Sequence, residues 1–256
     1  MLSALTRGIS PCIGNCELTY LERQQIDAAK AVQQQKSYEL YLASLGMNVI
    51  SLPAERALPD AVFVEDTAVV VDEVAVITTM GAVSRRPEVR TISAALAEYR
   101  PLEFINGAGT LEGGDVMRVD RTLYVGVSTR TNLDGIAQLR NILGAYDYQV
   151  REVPVKRCLH FKTGCTYLGW NTILVNRAWV DLSPLEGFEV IDVPDGEPWA
   201  ANLLVVGNDV LIPASCPKTA ELVHDRGFAV RTIEVSELEK AEAGLTCMSI
   251  IFNLLG

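Results

Sequence analysis

The sequence predicts an α/β fold built by radial repetition, as in a propeller, carried as one domain over residues 1–256. Three observations predict it. A short apolar strand, a polar turn and a second apolar strand recur four times. Stretches with helical periodicity fall between these hairpins. No Gly-rich stretch or charge run marks a linker. The hairpins are TAVVV-DE-VAVIT (67–78), DVMRV-DR-TLYVG (115–126), NTILV-NR-AWV (171–180) and NLLVV-GN-DVLIP (202–213). Each turn contains Asp, Asn or Gly, the residues that a tight two-residue turn demands. The first three turns begin at Asp72, Asp120 and Asn176, giving spacings of 48 and 56, and the fourth follows 32 residues later at Asn208. A unit repeated at about 50 residues favours radial repetition over a doubly wound sheet. The short last interval predicts a reduced or missing helix.

The helices follow from periodicity and end signals. Residues 22–45 are rich in Ala, Gln, Lys and Glu, with Ile26, Ala29, Val32, Leu42 and Leu45 near helical spacing and Gly46 as a stop. Residues 87–99 start at Pro87, suited to a first turn, and carry the stripe Val89, Ile92, Leu96 and Tyr99. Residues 132–144 place Ile136, Leu139 and Leu143 on one face and end at a glycine. Residues 217–226 form a fourth helix closed by Gly227.

With 49% hydrophobic residues the chain has ample material for a core, which excludes general disorder. A net charge of −10 removes the electrostatic footprint of a nucleic-acid binder and disfavours an anionic membrane surface. The first fifteen residues lack the basic region and apolar run of a secretory signal. No window approaches 18 uninterrupted apolar residues, so no membrane span is expected. The six cysteines (Cys12, Cys16, Cys158, Cys165, Cys216 and Cys247) lack framework density, which points to reduced thiols in a cytoplasmic protein. Cys12 and Cys16 have no second Cys/His pair at zinc-finger spacing, so no metal site is expected.

Candidate chemistry is concentrated in a few places. Of the two histidines, His224 in ELVHDRG reads as a solvated helix residue. His160 in RCLHFKTG lies between two strand signals, where a structural and an acid/base role are both open. Cys247 in AGLTCMSII precedes a strand, and a lone Cys there is either core filler or a nucleophile. Acidic residues cluster in PDAVFVEDTAVV (Asp60, Glu65 and Asp66) and in GTLEGGDVM (Glu112 and Asp115). Carboxylates flanked by Val, Phe and Gly are costly to bury unpaired, so a cation is their expected partner. Arg85 and Arg130 each follow a hairpin and open a helix, a natural place to receive a carboxylate.

Six segments in this order, PDAVFVEDTAVV, GAVSRRPE, GTLEGGDVM, VSTRTN, LHFKTGCTYL and GLTCMS, resemble the dimethylarginine dimethylaminohydrolases of the guanidine-modifying (pentein) superfamily. The likeness runs from about residue 18 to 252. It implies an α/β-propeller of five ββαβ-type units with pseudo-fivefold symmetry, of which the sequence shows four clearly. It implies hydrolysis of asymmetric dimethylarginine and monomethylarginine to citrulline and the methylated amine. Cys247 matches the family nucleophile, His160 the general acid/base, and Glu112 the carboxylate that orients the guanidinium and assists His160. Asp66 matches the other guanidinium-binding carboxylate, while Glu65 and Asp60 match further substrate-binding positions. Arg85 and Arg130 match the ligands of the amino-acid carboxylate. Leu18, in CELTY, matches a position whose backbone carbonyl approaches the substrate. Acid/base and nucleophilic chemistry of this kind needs no cofactor. Zinc could inhibit by capturing Cys247 and His160, but the sequence holds no full catalytic zinc set.

Two departures bear on substrate preference. Ala241 stands where the family usually has a branched apolar residue, which widens the substrate channel or loosens the loop over it. The C-terminal NLLG also differs. Arginine deiminases carry an inserted helical domain for which this chain has no room. Agmatine deiminases act on a substrate without a carboxylate, which leaves Arg85 and Arg130 without purpose. Both have a His before the catalytic Cys, where Thr246 stands here. A citrulline-hydrolysing relative stays open. So does a non-catalytic pentein scaffold, although such a protein need not keep Cys247, His160, Glu112 and Asp66 together. Exposed strand edges are compatible with a homodimer.

Overall fold

Strands buried on only one face alternate in polarity, and the middle strands of the hairpins, VAVIT, TLYVG, TILV and DVLIP, do not. Their near-continuous apolar runs are explained by the architecture of the computed structural model, which describes residues 1–254 and leaves Leu255 and Gly256, the end of the NLLG stretch, outside. Along the chain run β1 (Leu2–Arg7), α1 (Ala28–Ser44), β2 (Asn48–Leu52), β3 (Ala68–Val70), β4 (Ala75–Ile77), α2 (Val89–Leu96) and β5 (Leu102–Phe104). Next come β6 (Val116–Val119), β7 (Thr122–Val127), α3 (Leu133–Gly144), β8 (Gln149–Pro154), α4 (Phe161–Gly164), β9 (Cys165–Gly169), β10 (Thr172–Val175) and β11 (Glu189–Asp192). The last are β12 (Leu204–Val206), β13 (Asp209–Pro213), α5 (Pro217–Asp225), β14 (Ala229–Ile233), α6 (Ser236–Glu239) and β15 (Ile250–Asn253).

Among the described residues the strands form five separate three-stranded sheets, β15-β1-β2, β3-β4-β5, β6-β7-β8, β9-β10-β11 and β12-β13-β14. Each has an antiparallel pair followed by a parallel third strand, which makes the fold an α/β-propeller of five ββαβ-type units. The first unit is assembled from both ends of the chain, because β15 pairs with β1 and closes the ring. Five apolar clusters lie between consecutive units. Along β7, Leu123 and Val125 enter the cluster shared with the unit before, while Tyr124 enters the one shared with the unit after. β10 divides the same way, with Ile173 and Val175 on one side and Leu174 on the other. A middle strand buried on both faces reads as a continuous apolar run.

Local chemistry sets the element ends. The Asp27 side chain accepts from the Ala29 and Lys30 amides and caps α1, so this helix starts at Ala28 rather than at residue 22. Residues 83–88 form a 3-10 turn containing Pro87, and the α-helical part of the second helix spans only Val89–Leu96. Asn132 caps α3 through the Gly135 amide, and Pro217 opens α5. In the fourth unit the helix is reduced to the 3-10 turn Ser183–Leu185, as the short interval predicts.

The third hairpin corrects the sequence reading. Its strands are β9 and β10, and its turn is Trp170-Asn171, both at positive φ (49° and 59°), not Asn176-Arg177. Asn176 ends β10 instead, its side chain accepting from the Ala178 amide and donating to the Pro198 carbonyl. With the turn placed at 170, the first two intervals become 48 and 50 residues, closer to a true period.

The innermost strands β3, β6, β9, β12 and β15 surround an axial cavity. No helix among the described residues is long and apolar enough to cross a membrane.

Candidate active site

Four short helical turns stand ahead of inner strands, and they carry the candidate site residues. Val64–Thr67 holds Glu65 and Asp66 ahead of β3. Glu112 immediately precedes the turn Gly113–Asp115 ahead of β6, and His160 immediately precedes α4 ahead of β9. Cys247 lies in Thr246–Met248 ahead of β15. Repetition therefore brings Asp66, Glu112, His160 and Cys247 to one end of the propeller axis. A pocket there is lined by Asp60, Asp66, Arg85, Arg130, His160, Cys247, Glu17, Phe63, Leu159 and residues 241–243.

Around His160 the polar groups form one buried cluster. His160 Nε2 lies 2.7 Å from Glu112 Oε2 and 3.7 Å from Asp66 Oδ1. Burial alone would lower its pKa, but the Asp66 charge, the Glu112 hydrogen bond and Asp115 outweigh that and raise it to about 9. The imidazole is therefore an imidazolium at neutral pH, donating to Glu112. Burial pulls Asp66 and Glu112 upward, yet His160 and Arg85 overcome it and hold both below the ordinary carboxylate range. Asp66 Oδ1 accepts the Gly114 amide at 3.0 Å, and Oδ2 accepts Arg85 Nη1 at 2.7 Å. Glu112 Oε1 accepts the Ala82 amide at 3.2 Å. The Cys247 thiol is pushed up, first by burial and then by the Glu65 and Asp66 charges, with the Gly244 amide 3.4 Å from Sγ opposing them.

The two arginines differ. Every guanidinium nitrogen of Arg85 donates within the protein, to Glu88, to Asp66 and to the Asp60 and Phe63 carbonyls. Arg130 Nη2 donates to Thr19 Oγ1 at 3.2 Å, while its buried Nη1 makes no hydrogen bond and sits 3.5 Å from Glu112 Oε1. Asp60 also lines the pocket, and both its oxygens accept the Glu17 amide. Leu18 does not line the pocket. It is half-buried in the segment above it and packs on the apolar cluster that includes Leu245 and Cys247. Glu65 turns away as well, lining the axial cavity with its ion-pair partner Lys162 (2.5 Å) and with Thr246, whose hydroxyl donates to it at 2.7 Å. Ala241 is buried at the pocket wall.

Several contributors escape a reading of motifs. Asp115 is fully buried and accepts the Phe161 amide at 2.8 Å, which fixes the backbone just after His160. Glu88 holds Arg85, and an acidic residue three positions after an arginine was its only signal. Glu242 Oε1 gathers the amides of Thr19, Tyr20 and Leu21 and so ties down the segment that carries Leu18.

Asp66, Glu112 and His160 bring one donor atom each within 4.8 Å of one another, a set that could hold a metal ion. Each is already committed to a partner, however, and the two carboxylates are organised around an imidazolium and a guanidinium. An arrangement of anionic carboxylates beside a thiol and an imidazolium suits a planar organic cation, which the carboxylates can grip while the sulfur adds to it and the imidazolium supplies a proton. Close approach at Gly114 is part of this geometry, since a Cβ there would lie 2.6 Å from His160 Nδ1 and 2.7 Å from Asp66 Oδ1. Gly114→Ala is therefore expected to lower any catalytic rate by about 100-fold, because displacements of about 1 Å cost that much. Steady-state kinetics beside a melting curve check it, and an unchanged rate would refute the need for this contact.

Comparison with known proteins agrees with the geometry. The family model described as N,N dimethylarginine dimethylhydrolase, eukaryotic, matches residues 17–177. The N(G),N(G)-dimethylarginine dimethylaminohydrolase of Pseudomonas aeruginosa is 36% identical over 88% of this chain and 90% of its own length. The protein of the same name from Streptomyces coelicolor is 36% identical over 96% of this chain and 95% of its own. A solved structure of the Pseudomonas aeruginosa enzyme, a cysteine-to-serine mutant complexed with citrulline, superposes with a TM-score of 0.93 at 32% identity, covering 98% of this chain and 100% of that one. Pocket, propeller and sequence together place the chain in the dimethylarginine dimethylaminohydrolase family.

Proposed function

We propose that the protein hydrolyses asymmetric dimethylarginine and monomethylarginine to citrulline and the corresponding methylated amine. The observation that carries this reading is the convergence of Cys247, His160, Asp66 and Arg130 on one pocket, with Glu112 held between His160 and Arg130. Asp66 and Glu112 seat the guanidinium and keep it cationic through charge-assisted hydrogen bonds. The bound cation lowers the pKa of the Cys247 thiol, offsetting the burial and the anionic field of Glu65 and Asp66 that raise it. The thiolate adds to the guanidinium carbon, His160 protonates the departing amine, and a covalent thiouronium remains on Cys247. Neutral His160 then takes a proton from water as it attacks, and the carbon–sulfur bond breaks to release citrulline.

At the amino-acid end, Arg130 Nη1, which makes no hydrogen bond, is the donor available for the substrate carboxylate, and the carboxylate of Asp60 suits the ammonium. Arg85 acts through Asp66, because its nitrogens are already occupied. The Leu18 segment covers this end, and the small Ala241 leaves room at the wall. The six unpaired cysteines support a cytoplasmic location. Arg130→Ala is expected to raise KM for dimethylarginine by about 10- to 100-fold with a smaller change in kcat, as for a lost charge-assisted contact. A guanidine lacking the amino-acid head should show no such change; an equal loss on both substrates would count against the assignment.

The deciding experiment is citrulline release from asymmetric dimethylarginine, with arginine assayed in parallel. Release from the methylated substrate supports the proposal. Release from arginine alone would move the protein to deiminase chemistry, and silence on both by folded protein would overturn the reading.

A further inference from the structure

The chemistry-bearing positions recur with the fold. Asp66, Glu112 and His160 precede the inner strands of the second, third and fourth units, and Cys247 precedes that of the first. The fifth unit has its counterpart too. Asn202 precedes β12, so that Asp66, Glu112, His160, Asn202 and Cys247 follow one another at intervals of 46, 48, 42 and 45 residues. Asn202 is buried and carries none of the roles assigned above.

Its contacts converge on the turn that bears the sulfur. Asn202 Oδ1 accepts the Thr246 amide at 3.1 Å, and Nδ2 donates to Thr246 Oγ1 at 3.3 Å. The same side chain presses on Gly244, where a Cβ would lie 2.0 Å from Asn202 Cγ. The Gly244 amide in turn faces Cys247 Sγ at 3.4 Å. One amide thus grips the residue before the sulfur and sets the position of the N–H that supports it. Asn202 is itself held on both sides by Thr166, whose hydroxyl donates to the Ala201 carbonyl at 2.6 Å and lies 3.3 Å from the Leu203 amide. Beyond Thr246 the chain of contacts continues to Glu65 and Lys162.

We propose that Asn202 is a positioning residue for the nucleophile, the fifth member of the pseudosymmetric site, which holds the Gly244–Cys247 turn so that Sγ faces the guanidinium carbon with the Gly244 amide behind it. This rests on the proposed function for its kinetic consequence, though not for its effect on the thiol. Asn202 touches neither the pocket cavity nor the cation's ligands. Its loss is therefore a loss of aim, felt when the sulfur adds and not when substrate binds.

The test compares wild type with Asn202→Ala on asymmetric dimethylarginine, and measures alkylation of Cys247 by iodoacetamide in the unliganded protein, read at its own peptide by mass spectrometry. Expected are a fall in kcat of about 10- to 100-fold with KM within about threefold, and slower alkylation at fixed pH, as misplacement of a reacting atom predicts. The Gly244→Ala substitution, disruptive alone, should cost less in the Asn202→Ala background, since the clashing atoms are gone. An unchanged kcat in folded Asn202→Ala, or a loss confined to KM, would overturn the proposal. If that variant does not fold, Thr246→Val removes the hydroxyl half of the grip together with the hydrogen bond to Glu65, and an unchanged kcat there would overturn it equally. If wild type releases no citrulline, the functional reading fails, and the alkylation rate still decides the role of Asn202: slower supports it and unchanged rejects it.

Discussion

Cys247→Ser is expected to lower citrulline release from asymmetric dimethylarginine by about 10⁴-fold or more, the scale of losses when a covalent nucleophile is removed. The pocket explains why oxygen cannot stand in for sulfur. Burial and the charges of Glu65 and Asp66 already hold the thiol above its ordinary pKa. A hydroxyl begins several units higher, and the single cation of the substrate cannot offset that gap. Structural cost is small, because the replacement is nearly isosteric and the Gly244 amide keeps an acceptor. The measurement pairs a citrulline assay with intact-protein mass spectrometry during turnover, where wild type shows a substrate-derived adduct and the variant none. Release within about tenfold of wild type would exclude covalent catalysis by this residue.

What could be read in advance depended on how locally each feature is encoded. The hairpins at Asp72 and Asp120 were legible because turn residues and apolar strands are contiguous. The hairpin at Trp170-Asn171 was not, since a tryptophan at positive φ carries no turn signal and the nearby Asn-Arg pair mimics one. Exposed Trp170 stacks on Phe228 at 4.6 Å, a contact from a different unit that no local rule contains. The closing unit was hidden for a topological reason, its strands β15 and β1 lying at opposite ends of the chain.

The site divides the same way. Asp66, Glu112, His160 and Cys247 stood out as reactive types in apolar contexts. Their spatial grouping follows from repetition, because each precedes an inner strand. The division of labour between Arg85 and Arg130 did not stand out, since both open helices after hairpins and only Arg85 has Glu88 within reach. Glu65 was legible as a carboxylate but not as one that faces the axial cavity, because adjacent residues on a short helical turn point in different directions. Glu242 and Asn202 act on backbone amides more than forty residues away, and nothing in their neighbourhoods announces that.

Asp66→Asn is expected to reduce kcat/KM by about 10³-fold, because it removes a charge-assisted contact to the cation and depletes, at neutral pH, the imidazolium that protonates the leaving amine. Asp66 is the largest influence raising the His160 pKa to about 9, so its neutralisation moves that value down toward the ordinary 6.5. The imidazolium form is lost as pH rises through the folded value, so the alkaline limb of the kcat profile should shift to lower pH in the variant. Stability carries the same signature with a definite sign. A histidine whose folded pKa exceeds its unfolded one stabilises fully below about 6.5 and loses that contribution as pH rises toward about 9. Wild type should therefore weaken across that window, and Asp66→Asn should weaken less steeply from a lower start. The lower start has its own cause: the asparagine keeps an acceptor for the Gly114 amide but turns a donor on Arg85, leaving that buried guanidinium to Glu88 at a cost of about 1–3 kcal/mol. Urea unfolding at the two ends of the window, beside the pH profile of kcat, reads both effects. An alkaline limb that stays where it is in wild type would show that Asp66 does not tune His160, and would return the general acid to Glu112 alone as its partner.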